Sequence, residues 1–185
     1  NQKFSDEKYT YDAWGNRTSV IVYTGEGTND PATGAAVFNG TPLTTTYAYD
    51  PTYRTYLLSQ TSPATPNSPT GLISTFTYNY KFGVPLSDTG PNGPATTATA
   101  QYDNFGRITQ IVLPGNIADI PTMEFIYHDT IPFWTEARQL VTPGSTKPNS
   151  MYFSVRKFYD GLGRLVQTQN IVSDSSGAPI ETIVS

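Results

Sequence analysis

Ahead of six tyrosines in this chain, apolar or aromatic residues alternate with others at a period of two. The pairs Tyr9/Tyr11, Tyr47/Tyr49, Phe76/Tyr78, Ala100/Tyr102, Phe125/Tyr127 and Lys157/Tyr159 each place two side chains on one face of a strand. Five of the six pairs are apolar or aromatic at both positions, so Lys157 breaks the pattern. The intervening residues are mostly polar, among them Thr10, Thr77 and Gln101, with Phe158 as the exception. Further β-prone runs follow at Thr18 to Tyr23, Ile108 to Leu113 and Leu165 to Val172. The best helical candidate, Phe133 to Leu140, is hemmed in by Pro132 and Pro143 and would form about two turns at most. The pattern predicts an all-β chain.

The same tyrosines open a recurring phrase. It reads Tyr11-Asp12-Ala13-Trp14-Gly15-Asn16-Arg17, Tyr102-Asp103-Asn104-Phe105-Gly106-Arg107 and Tyr159-Asp160-Gly161-Leu162-Gly163-Arg164. Weaker copies stand at Tyr49-Asp50-Pro51-Thr52-Tyr53-Arg54, at Tyr78-Asn79-Tyr80-Lys81-Phe82-Gly83 with one extra residue, and at Tyr127-His128-Asp129 without the glycine. The leading tyrosines are 38, 29, 24, 25 and 32 residues apart, a spacing that means one supersecondary unit per period. Asp followed three residues later by Gly suits a type I turn closed by a left-handed glycine, the geometry of a three-residue hairpin loop. The expected structural turn residues are therefore Tyr11, Asp12, Gly15, Tyr49, Asp50, Tyr78, Gly83, Tyr102, Asp103, Gly106, Tyr159, Asp160 and Gly163. The expected tips lie near 11–17, 49–54, 78–83, 102–107, 127–129 and 159–164.

These phrases, with following runs such as Arg107-Ile108-Thr109-Gln110 and Arg164-Leu165-Val166-Gln167, resemble the tyrosine-aspartate (YD) repeats of the RHS family. That family includes bacterial polymorphic toxins, shell components of insecticidal toxin complexes and the animal teneurins. The resemblance runs from about Tyr9 to Val172. It implies repeated antiparallel β-hairpins forming a curved, spiralling sheet, part of a hollow shell that sequesters a C-terminal toxic domain. Residues 1–185 would be a single repeat region, a fragment of a much larger bacterial protein that is secreted or at the cell surface. Its partners would be the remaining repeats of the parent chain and an enclosed toxin or effector domain. A competing expectation is an adhesion module that recognises glycan or protein at cell surfaces. The self-cleaving aspartyl-protease segment of the family has no counterpart after Asp160, where Asp174 and Glu181 stand in a polar tail and an apparent strand.

Composition supports strands and turns, with 15 Gly, 15 Pro, 13 Tyr and 9 Phe in 185 residues. Turn chemistry places long connections at Thr24 to Thr41, Thr61 to Gly71, Ser87 to Pro94, Thr142 to Ser150 and Ser173 to Pro179. Neither end shows an obvious cap, and the chain begins at Asn1 and stops at Ser185, which reads as a piece of something longer. The net charge of −4, with 11 dispersed Lys and Arg, argues against gripping nucleic acid. No apolar run approaches the ~20 residues of a membrane span, so membrane insertion is not expected. The absence of cysteine leaves the compartment open.

Candidate chemistry is sparse. His128, with Asp129 beside it and Glu124 before it, could serve acid-base work or a metal, but it holds the position where stronger copies carry the turn Asp. The repeated aspartates could bind calcium, yet an Asp bonding backbone amides in a turn accounts for every copy at once. The tyrosine stripe could stack against sugars, peptides or an enclosed cargo. Aromatic cross-strand packing, at about 0.2–1 kcal/mol per pair, is its ordinary role. No dinucleotide, phosphate-loop or nucleophile-elbow motif is complete. The expectation is a structural module rather than an enzyme, with no cofactor.

Overall fold

The computed structural model describes residues 6–142, 151–174 and 179–184. The described residues are all-β, apart from one 3-10 turn at Pro94–Thr96. They form two compact units, one of Asn1–Thr77 with Thr89–Pro91 and the other of Tyr78–Asp88 with Asn92–Ser185.

In the first unit, β1 (Glu7–Tyr11), β2 (Arg17–Tyr23), β5 (Pro42–Tyr49), β6 (Leu57–Thr61) and the start of β7 (Ile73–Asn79) pair antiparallel in chain order. The connection expected at Thr24 to Thr41 contains a separate small ribbon of β3 (Thr28–Asn29) and β4 (Ala36–Val37). Among the described residues of this unit no large apolar side chain is buried, and the buried polar ones are Ser19 and Asp50. This unit is held mainly by its ladders and turns.

The second unit runs through β8 (Val84–Thr89), β9 (Thr97–Tyr102), β10 (Ile108–Val112), β11 (Met123–His128), β12 (Phe133–Leu140), β13 (Met151–Tyr159), β14 (Leu165–Asp174) and β15 (Pro179–Val184), neighbours in sequence being neighbours in the sheet. The helical candidate Phe133 to Leu140 is a strand, β12, paired along its whole length with β13 and along most of it with β11. Its own alternation, Trp134, Glu136, Arg138 and Leu140 against Phe133, Thr135, Ala137 and Gln139, fits a pleat. Two laddered neighbours supply hydrogen bonds that two isolated helical turns could not.

Two expected connections are shorter than the sequence implied. β8 continues to Thr89, so Ser87, Asp88 and Thr89 are strand, and β14 continues through Ser173 and Asp174. In those two stretches cross-strand pairing outweighs the turn preference of Ser and Asp. The remainder of the Thr142 to Ser150 connection from residue 143, and residues 175–178, lie outside the described residues.

One face of the second unit carries the core. The connection after β10 folds over it, tied by Leu113 N–H and Asn116 Nδ2 donating to Thr122 Oγ1 at 2.8 and 2.9 Å and by Gln110 Nε2 donating to the Ala118 carbonyl at 2.7 Å. Beneath it Ile120, Leu140 and Tyr152 form a buried cluster, and the Tyr152 hydroxyl donates to the Pro121 carbonyl at 3.2 Å. Burial of such side chains contributes about 1.5–3 kcal/mol each. The same face holds Glu136, with 2% of its side chain exposed, between Arg138 at 2.8 Å and Arg156 at 2.6 Å; Arg138 also reaches Glu124 at 3.0 Å. Burial pushes the Glu136 carboxyl up, but hydrogen bonds from the two guanidinium groups outweigh it and leave it below its ordinary value. Removing either arginine would leave a buried charge undercompensated.

Candidate functional site: the hairpin turns

Each strong copy of the phrase closes a hairpin by one set of bonds. In the first, Asp12 Oδ1 accepts from Trp14 N–H at 2.9 Å and Asn16 N–H at 2.8 Å, while Oδ2 accepts from Asn16 Nδ2 at 2.9 Å. Asp103 accepts likewise from Phe105 and Arg107 N–H, both at 2.9 Å, and from Arg107 Nε at 2.6 Å. Asp160 accepts from Leu162 N–H at 2.9 Å, Arg164 N–H at 3.0 Å and Arg164 Nε at 2.8 Å. In all three the glycine N–H donates to the aspartate carbonyl, and the glycine φ is +87°, +80° and +77° in turn. A side chain there would be strained, because L-residues avoid that region.

The weaker copies solve the same problem with different parts. Asp50, 2% exposed, accepts four backbone N–H groups, from Thr52, Tyr53, Thr55 and Tyr56, at 3.0, 2.6, 3.2 and 3.1 Å. This turn is longer, and Arg54, not glycine, takes the positive φ, at 60°. Asn79 accepts from Lys81 N–H through Oδ1 at 3.0 Å, and its carbonyl accepts from Gly83, φ +70°. Desolvation pushes the Asp50 carboxyl up, yet the four backbone donors together hold it below the usual carboxylate range.

His128 reverses the polarity. Its Nδ1 lies 2.9 Å from the carbonyl oxygens of both Thr130 and Pro132. These are the residues two and four places on, the same two whose N–H groups an aspartate would engage. Carbonyls only accept, so Nδ1 carries the proton and donates. Pro132 has no N–H to offer an acceptor. The ring also stacks on Trp134, centroids 5.0 Å apart.

Neighbouring turns are joined side chain to turn. Arg107, bound to its own Asp103, forks onto Asp129 of the next turn at 2.8 and 2.7 Å and lies 4.2 Å over the Tyr127 ring. Hydrogen bonds from Arg107 hold the Asp129 carboxyl below its ordinary value; the Asp103 carboxyl is also lowered, Arg107 and backbone donors overcoming desolvation. Asn16, at the equivalent position in the first unit, donates to the Arg54 carbonyl at 2.6 Å, while Arg54 stacks 3.9 Å over Trp14. The leading tyrosines add a second stitch. Tyr49 donates to the carbonyl of Arg17 at 3.2 Å, Tyr102 to Pro85 at 2.8 Å and Tyr127 to Ile108 at 2.9 Å. Each target sits five residues past a turn Asp, or six where the Asn79 turn carries its extra residue.

The arrangement orders backbone; it does not assemble a reaction centre from His128, Glu124 and Asp129. Glu124 faces Arg138, Asp129 faces Arg107, and His128 faces two carbonyls. Among the described residues no group of three or more His, Cys, Asp or Glu could hold a metal ion. Sequence reasoning missed the tyrosine hydroxyl stitches and the Arg107 bridge. The phrase carries the participating residues, the leading tyrosine and the polar residue four places after the Asp, but their partners lie 17 to 38 residues away and are set by strand register.

No protein-family model matches the chain, and no curated protein matches it. Among solved structures, one similar chain belongs to a variant of the Photorhabdus luminescens Tc holotoxin pore, at 13% identity and a TM-score of 0.28. The match covers 98% of this chain and spans 12% of the length of that one.

Proposed function

We propose that this chain is a non-catalytic stretch of hairpin shell, of the RHS or YD-repeat kind, in a large secreted or cell-surface bacterial protein, and that the shell encloses a C-terminal toxin or effector domain. The observation that supports this reading is the reuse of one bonding scheme at Asp12, Asp103 and Asp160, with side chains stitching successive hairpins to one another. A catalytic carboxylate is needed once. A turn carboxylate is needed at every repeat, and repetition with tight local satisfaction is what a scaffold requires.

Limited proteolysis of the full parent protein tests the reading, with Asp103→Ala as the loosened variant. The expected result is a C-terminal domain resistant to protease in the parent and cleavable in the variant. A C-terminal domain digested equally in both would contradict enclosure. So would a parent whose hairpins sit on a membrane anchor and bind glycan, the outcome expected of an adhesion module.

A further inference from the structure

Opposite the core, the second unit bears a groove of about 360 Å³ across β11, β12 and β13. Thr135, Ala137 and Val155 form its floor, Phe125 and Tyr127 wall one side, and Lys157 and Tyr159 stand on the other; Glu136 also lines it, its carboxylate held by Arg138 and Arg156. Three observations single it out. Lys157 occupies the stripe position that is aromatic or apolar in the other five pairs, so a charge has entered an otherwise apolar row. Among the described residues it has no ion-pair partner. The Tyr159 hydroxyl likewise makes no hydrogen bond among the described residues, whereas Tyr102 and Tyr127 use theirs to stitch hairpins.

The walls are pre-set. Tyr127 is pinned at its hydroxyl by the Ile108 carbonyl, and Arg107 lies over its ring. Little ordering would accompany binding on that side. We infer that this groove binds a compact apolar carboxylate, with Lys157 pairing the carboxylate, Tyr159 donating to it, and the ring or alkyl body lying over Ala137 and Val155 against Phe125 and Tyr127.

The chemistry excludes two other occupants. An extended peptide needs a free strand edge, and β12 and β13 are laddered on both sides here. A sugar carries a ring of hydroxyls, whereas the Tyr127 hydroxyl is committed to Ile108 and the Glu136 carboxylate to Arg138 and Arg156, leaving Thr135, Lys157 and Tyr159 to receive them.

Titration calorimetry of the 185-residue chain with 2-naphthoate, beside neutral 2-naphthamide, reads the site directly. The expected result is saturable naphthoate binding with a Kd below about 1 mM and much weaker binding of the amide. Lys157→Met should weaken naphthoate about tenfold, and Tyr159→Phe by a smaller factor, with unchanged thermal midpoints; Lys8→Met should leave binding untouched. Absence of saturable binding, equal binding of the amide, or a folded Lys157→Met protein of undiminished affinity would each overturn the inference.

Discussion

The Asp103 and His128 turns are neighbours, tied together by Arg107, and they close their hairpins with opposite hydrogen-bond polarity. Asp103 accepts from the amides two and four residues on; His128 donates to the carbonyls two and four residues on. The difference lies in the residue four places after the first corner. Arg107 has an N–H to give, and Pro132 does not. A hairpin tip therefore demands a side chain complementary to whichever backbone group faces inward, and aspartate is the answer only when that group is an amide.

The largest effect is expected at the acceptor extreme. Asp50→Ala strips four backbone donors of one buried partner, and thermal unfolding should show a midpoint lower by on the order of 10 °C. Next come the glycines that let the acceptor turns close. Gly106→Val should cost about 3 kcal/mol in denaturant unfolding, because its φ is positive and a Cβ would stand 2.8 Å from the Phe82 ring; Gly163→Val, with nothing nearby, should cost only about 1–2 kcal/mol. Equal costs would mean that Phe82 does not pack on the Asp103 turn.

Acid acts on the Arg107 link that joins the two turns. Asp103 and Asp129 have folded-state pKa values below those of the unfolded chain, so their contribution is fully present above the unfolded value of about 3.9. It is lost as pH falls through the folded values, and Arg107→Met should flatten that part of the stability–pH curve. The smallest effect is at the stitches: Tyr127→Phe should cost about 1 kcal/mol, and Tyr159→Phe close to nothing in the free protein.

What could be read from sequence was what is local. The Asp-x-x-Gly turns involve partners within about five residues, so composition and spacing suffice to specify them. The Arg107 bridge spans 22 residues and the Tyr127 stitch spans 19, and both depend on strand register, which the phrase alone does not set. Phe133 to Leu140 reads as no more than a short helical candidate for the same reason: its flanking prolines bound a segment whose state is decided by β11 and β13. The buried Glu136 pairing with Arg156 needed the same register knowledge.

The central claim is that backbone polarity, not residue identity, decides which side chain holds a tip, and thermal unfolding of His128→Asp beside His128→Asn tests it most directly. Asn can donate to the two carbonyls and should stay within about 2 °C of the parent, while Asp turns a carboxylate toward them and should lower the midpoint by at least about 4 °C, although Asp is the residue the strong repeats carry. A His128→Asp protein as stable as the parent, or more stable than His128→Asn, would contradict the account.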